Sequence, residues 1–226
     1  MNDRHWEKTA SLIRRLNGQG IDKLFVVLRH SARNYHEDIT MEPFMSLTDK
    51  GRAMAFQMGS SLPENFSIRF FSSYIGRCIE TAYLLDKGFV KKTGAMTENN
   101  RVTDIMAPFY VNDLSKLADI IISRDLFVFI REWINGHIPE SILMPPKEAA
   151  RKMFKFMVGS LWESEKNTLQ ISVTHDWNLY LLKEFGLGLA HEEYGKVSYL
   201  EGIVLFEQDG KIYITNHQKD PVILDY

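Results

Sequence analysis

Apolar and polar positions along this chain fall into blocks whose period changes, and the changes mark its elements. Trp6, Ala10, Ile13 and Leu16 recur at helical spacing while Glu7, Arg14 and Arg15 fall elsewhere, which predicts a helix over residues 4–17 stopped by Gly18 and Gly20. Leu24-Phe-Val-Val-Leu is an unbroken apolar run with two β-branched residues, the pattern of a strand buried on both faces, and it stops at Arg29. A polar loop through Asn34, His36, Glu37 and Asp38 leads to Pro43. Thr48 is then the candidate N-cap of a helix with Asp49 in its first turn, a stripe of Met54, Ala55, Met58 and Leu62, and an end at Pro63. Residues 67–73 read as a second strand, and Ser72 or Ser73 is expected to cap a helix carrying Arg77, Ile79, Ala82 and Tyr83.

From about Lys91 to Pro146 the pattern changes. Leu114, Leu117 and Ile121, then Leu126, Phe129, Ile130 and Trp133, predict two short helices, no strand is evident, and Gly136, Pro139, Pro145 and Pro146 punctuate the exit. Strong helical periodicity returns over residues 147–161, followed by a third strand at Leu169–Thr174 that again ends in polar residues, His175-Asp-Trp-Asn. Leu181, Leu182 and Phe185 continue as a helix closed by Gly186 and Gly188. Two last apolar runs, from Gly202 and from Lys211, join across Asp209-Gly210 as a hairpin. Strand, helix, strand, helix at this spacing predicts an α/β fold, a mainly parallel sheet with helices on both faces. Residues 1–226 are expected to form one domain, with 91–146 a mostly helical cap or insertion that varies specificity.

Composition narrows the function. Hydrophobic residues make up 45% and charged residues 25% of the 226, enough for a full core, and 27 basic against 29 acidic side chains leave a formal charge of −2. No global field favours nucleic acid or an anionic membrane, so neither is expected as a partner and any cationic site is local. The single cysteine, Cys78, can form neither an internal disulfide nor a multi-cysteine zinc site. No apolar run of signal-peptide type follows Met1 and no stretch is long enough to span a bilayer, so a cytoplasmic location is expected.

Three predicted strand ends deliver polar groups to one edge of the sheet. Arg29, His30 and Arg33 follow the first, Arg77 lies just beyond the second, and His175 and Asp176 follow the third. Open α/β sheets bind ligands beyond the carboxyl ends of their strands. Guanidinium forks flanking an imidazole suit a phosphate, whose oxygens match their donors, and a helix beginning near Arg77 would turn its positive end to the same edge. Cys78 and the methionines at helical spacing are read as packing residues. His137, His191 and His217 lack ligand spacing and are read as surface or loop residues, so no metal site is expected.

These motifs, in this order, resemble the histidine phosphatase superfamily with its phosphoglycerate mutase-like fold. The likeness covers the Arg-His signature in Leu24–Arg33, Leu47-Thr-Asp-Lys-Gly-Arg, the segment from Ser72 to Ala82, Val173-Thr-His-Asp and the strand near Gly202; residues 91–146 match nothing specific. Ser31 departs from the pattern, where glycine is usual, and Tyr35 stands where acid phosphatases often carry proline.

The resemblance implies a phosphatase that hydrolyses phosphomonoesters through a phosphohistidine, with no metal or cofactor. His30 would be the nucleophile, and Arg29, Arg33, Arg77 and His175 would hold the phosphoryl oxygens, His175 counting also among the catalytic groups. Asp176 is the first choice for the proton donor, because His175-Asp-Trp-Asn resembles the acid phosphatase branch; Glu98 and Asp104 are the alternatives that the mutase branch suggests. The substrate would be a small phosphorylated metabolite or a phosphoprotein. A phosphoglycerate-type mutase, or a protein that binds a phospholigand without turnover, remains the alternative.

Overall fold

The run after Asp22 forms β1 (Lys23–Arg29), whose five central residues are buried, at the middle of a seven-stranded sheet ordered β3-β2-β4-β1-β5-β6-β7. The other strands are β2 (Ser67–Ser72), β3 (Arg101–Val102), β4 (Thr168–Thr174), β5 (Gly202–Gln208), β6 (Lys211–Asn216) and β7 (Lys219–Ile223). β5 and β7 run against the other strands, so the sheet is mixed, with a parallel half from β3 to β1. The computed structural model describes residues 5–97 and 100–225, at 39 and 40 the backbone alone. Among them no helix is long and apolar enough to cross a membrane.

Alternation along β1 decides which helices lie where. Leu24, Val26 and Leu28 face a core shared with α1 (His5–Gly18), α2 (Asp49–Ser60) and α3 (Gly76–Thr93). Phe25 and Val27 face the opposite core, built with α4 (Leu114–Ile122), α5 (Leu126–Ile134), α6 (Pro146–Glu163) and α7 (Asp176–Leu182). Helices therefore cover both faces, as the strand-helix spacing predicts. The two short helices of the 91–146 segment bury Leu117, Phe129, Ile130 and Trp133 in that second core.

Several local expectations need correction. The predicted first helix is described from His5; Arg4 lies outside the described residues. Neither Ser72 nor Ser73 caps α3: its N-cap is Ile75, without a side-chain bond, and Ser73 Oγ instead accepts from Ile75 N–H at 3.3 Å. Ile79 and Tyr83 are exposed, and the packed face of α3 is Cys78, Ala82, Leu85 and Phe89. The 91–146 segment does hold a strand, the two-residue β3, and a bridge between Val111 and Leu143. β7, too, escapes the pattern, because Pro221 breaks its alternation and is tolerated only at a sheet edge. The helix after Asp176 runs into a π-turn, Lys183–Leu187, and stops on Gly188 at φ 64°.

The loop after β1 is clamped to the start of α2. Thr48 caps α2 by accepting from Gly51 N–H at 3.0 Å, as its position predicts, and Thr48 N–H donates to the Ala32 carbonyl at 2.9 Å. Ser31 Oγ donates to the Gly51 carbonyl at 2.7 Å. A Cβ on Gly51 would stand 2.1 Å from the Ala32 oxygen, so only glycine permits this approach. Gly51→Ala should therefore cost about 2 kcal/mol, lowering the thermal midpoint by roughly 4–8 °C. A calorimetric scan that leaves the midpoint unchanged would show that the clamp yields freely.

Candidate active site

β1 and β4 are parallel neighbours in register from Lys23 beside Thr168 to Arg29 beside Thr174. The register carries the next residue of each strand, His30 and His175, to one place, where their rings meet edge to face with centroids 5.7 Å apart. β2 flanks β4 on its other side and delivers Ser73 and the first turn of α3, with Arg77, to the same end.

The hydrogen bonds assign both imidazoles. Arg77 Nε donates to His30 Nε2 at 3.1 Å, and His30 Nδ1 lies 2.8 Å from the Ser31 carbonyl. A guanidinium only donates, so the His30 proton sits on Nδ1 and the Nε2 lone pair faces Arg77. Arg77 Nη2 lies 3.4 Å from His175 Nδ1, and His175 Nε2 lies 3.0 Å from Ser73 Oγ. By the same logic Nδ1 accepts there and Nε2–H donates to Ser73. Burial first, then the charges of Arg29 and Arg77, holds the pKa of His30 well below the ordinary imidazole value. Burial and Arg77 push His175 down to about 3, so both rings are neutral at physiological pH.

The arginines surround these rings, and each also holds protein acceptors. Arg29 Nη2 pairs with Asp176 Oδ2 at 2.8 Å and Nη1 donates to the Val197 carbonyl at 2.7 Å, while its Nε is buried with no acceptor among the described residues. Arg33 Nη2 pairs with Glu42 Oε2 at 2.6 Å, and Arg77 Nη1 donates to the Glu42 carbonyl at 2.7 Å. Glu42 belongs to a short helix, Ile39–Phe44, which is thereby tied to two arginines of the cluster. Three guanidiniums against two carboxylates leave one positive charge in excess around neutral imidazoles. No side chain caps the first turn of α3, so its dipole adds to that potential.

Tyr199 closes one side. Its ring stacks under Arg29, 4.4 Å from centroid to guanidinium carbon, and lies 5.9 Å from the His30 ring. Its hydroxyl meets that of Tyr35 at 2.5 Å, and Tyr35 in turn lies under Arg33 at 4.2 Å. The turn bearing Tyr199 is anchored from below. Leu200 N–H donates to the Arg29 carbonyl at 3.2 Å, and buried Lys183 donates at 2.8 Å to Glu201, which itself accepts from Ser198 N–H. Breaking such a buried pair strands a charge, so Lys183 fixes where Arg29 and Tyr199 stand.

The structure thus brings Arg29, His30, Arg33, Arg77, His175 and Asp176 together, the side chains that the sequence points to. Asp104 is exposed in the turn after β3, whose Met106 carbonyl accepts from Thr174 Oγ1 at 2.6 Å, and Glu98 lies outside the described residues. Ser31 serves in place of glycine without a left-handed backbone, its hydroxyl engaged with Gly51. Cys78 is fully buried, and its thiol is pushed up to about 12 by that burial, as befits a packing residue beside His175. His191, in the short α8 (His191–Tyr194), is no surface residue: it is buried between Phe127 and Tyr180, with Nε2 at 3.0 Å from the Phe127 carbonyl. Trp177 packs on Phe129 and Trp133 of α5. Among the described residues no group of three His, Cys, Asp or Glu side chains could hold a metal ion.

Glu42, Tyr199 and Ser73 are the site residues that the sequence does not reveal. Glu42 sits in a polar loop and Tyr199 in an aperiodic turn, so neither carries a periodic signal; Ser73 is visible only as a wrong helix cap.

No family model and no curated protein sequence matches this chain. Solved structures do match in fold. A mycobacterial glucosyl-3-phosphoglycerate phosphatase in complex with VO3 is 18% identical, aligning over 86% of this chain and 98% of its own with a TM-score of 0.57. Bacillus stearothermophilus YhfR is 15% identical over 85% of this chain and 95% of its own, TM-score 0.57. A mutant Entamoeba histolytica phosphoserine phosphatase bound to phosphoserine is 13% identical over 85% and 95%, TM-score 0.52. These neighbours belong to the histidine phosphatase superfamily, and the chain has their fold.

Proposed function

We propose that this chain, built on the fold of the histidine phosphatases, hydrolyses phosphomonoesters through a phosphohistidine formed at His30, without a metal ion. The observation that carries the reading is Arg77, one guanidinium that touches Nε2 of His30 and Nδ1 of His175 together. An anion that takes over that fork frees the Nε2 lone pair from Arg77 Nε and lies against it. The nucleophile needs no deprotonation, because its proton is already on Nδ1 and given to the Ser31 carbonyl.

In the first step the His30 Nε2–phosphorus bond forms as the bond to the ester oxygen breaks. Arg29, Arg33 and Arg77 hold the charge spread over the phosphoryl oxygens, the task that a divalent cation performs in nucleotide-dependent transferases. His175 joins them by donating from Nδ1 once its proton moves there and Ser73 Oγ donates to Nε2 instead. Phosphoryl oxygens that take up Arg29 release the Asp176 carboxylate, which takes up a proton from solvent and delivers it to the leaving oxygen. In the second step water attacks phosphorus, Asp176 receives its proton, and phosphate leaves as the nitrogen–phosphorus bond breaks. The substrate is a small phosphorylated molecule or a phosphoprotein side chain. Residues 91–146 form an insertion in a single domain on this reading, and the lone thiol suits a reducing, cytoplasmic setting.

Phosphate release from 4-nitrophenyl phosphate in excess chelator tests the activity. Turnover is expected to persist, and release no faster than the spontaneous rate would overturn the reading. Asp176→Asn separates the acid from the binding groups. Its kcat should fall about a hundredfold or more on alkyl phosphates, whose leaving group needs the proton, and less than about tenfold on 4-nitrophenyl phosphate. Equal losses on both would transfer the acid role to Glu98 or Asp104.

A further inference from the structure

The short helix that Glu42 ties to Arg33 and Arg77 has a second side. Beyond Glu42 the chain runs on through Pro43 and Phe44 along one wall of a cleft of about 550 Å³, and the opposite wall is Tyr74 and Ile75, which lead into Arg77. Arg77 is therefore the common corner of two spaces. Its Nε meets His30, its Nη1 meets the Glu42 carbonyl at 2.7 Å, and its side chain lines the cleft. A group bonded to a phosphoryl oxygen held on Arg77 has this cleft directly beside it.

The lining selects what that group can be. Phe44 and Tyr74 are 74% and 53% exposed, two large rings that the described residues leave largely uncovered. Arg77 is the one cation among the described residues that line the cleft, and the phosphoryl oxygens claim it. The carboxylate there, Glu80, is engaged by Arg52 Nε at 2.6 Å and Leu47 N–H at 3.4 Å. A second phosphate or a carboxylate on the leaving group would find no counter-charge and would face Glu80. A flat uncharged ring would find two aromatic faces.

We infer that the substrate is a phosphomonoester of an uncharged aromatic or arylalkyl alcohol, whose ring enters the cleft between Phe44 and Tyr74. The inference rests on the phosphatase reading and adds the substrate class to it.

Benzyl phosphate against methyl phosphate is the test, since their leaving alkoxides have like basicity and differ in the ring. The wild type should favour benzyl phosphate in kcat/KM by about tenfold or more, and should turn over phosphoserine more slowly than either. Phe44→Ala and Tyr74→Ala change exposed side chains, and each should lower the benzyl-to-methyl ratio several-fold. Calorimetric affinities of benzylphosphonate and methylphosphonate read the cleft without any turnover, and benzylphosphonate should bind about tenfold tighter. Equal affinities, or a ratio that neither substitution moves, overturn the cleft assignment while leaving the phosphatase standing. Tighter benzylphosphonate binding with no hydrolysis of either ester upholds the cleft and sinks the phosphatase.

Discussion

His30→Ala should release no phosphate above background from any ester, at any pH. His30 is almost fully buried at the carboxyl end of β1 and presents an unprotonated Nε2, whose lone pair accepts from Arg77 Nε. The other imidazole is not expected to replace it, because on this reading His175 is a phosphate-binding group, with Nδ1 at 3.4 Å from Arg77 Nη2 and Nε2 at 3.0 Å from Ser73 Oγ. The variant should still bind phosphate analogues, because Arg29, Arg33 and Arg77 remain. Retained vanadate affinity with lost turnover, read by calorimetry beside the assay, separates loss of the nucleophile from collapse of the site. Residual hydrolysis above about one part in a hundred of the wild-type rate would point to direct attack by water.

Arg77→Ala should lower kcat/KM by about a hundredfold or more, some 3 kcal/mol of transition-state stabilisation. Arg77 joins both histidines, donates to the Glu42 carbonyl and stands at the positive end of α3, so charge developing on the phosphoryl oxygens meets it first. Arg77→Lys should recover little, because a lysine cannot make the Nε and Nη2 contacts at once. Unchanged kinetics in either variant would separate the fork from the chemistry.

How much of this was legible in the sequence follows from what leaves a pattern. β1 is a continuous apolar run and β4 alternates Leu169, Ile171 and Val173 with small or polar residues, so the two strands stop visibly at Arg29 and His175, and parallel pairing then brings those ends together. Thr48 is legible because capping needs one side-chain type at one offset. Glu42 is not, since its role depends on how a polar loop folds back over Arg33 and Arg77. Tyr199 is hidden in the same way: it reaches Arg29 through a turn whose neighbour Leu200 takes φ 57° and whose anchor is the buried Lys183–Glu201 pair. Ser73 illustrates a misreading by rule. A serine before a helix is a natural cap, but here its hydroxyl is engaged by Ile75 N–H and His175. β3, at two residues, is too short to show any period.

All of the chemistry turns on whether phosphorus bonds to one nitrogen. Rapid acid-free quenching during turnover of an aryl phosphate, followed by peptide mass mapping, should find a single phosphoryl group on His30, labile to acid and stable to alkali. A phosphoryl group on His175, or none on any histidine while phosphate is being released, would contradict the account.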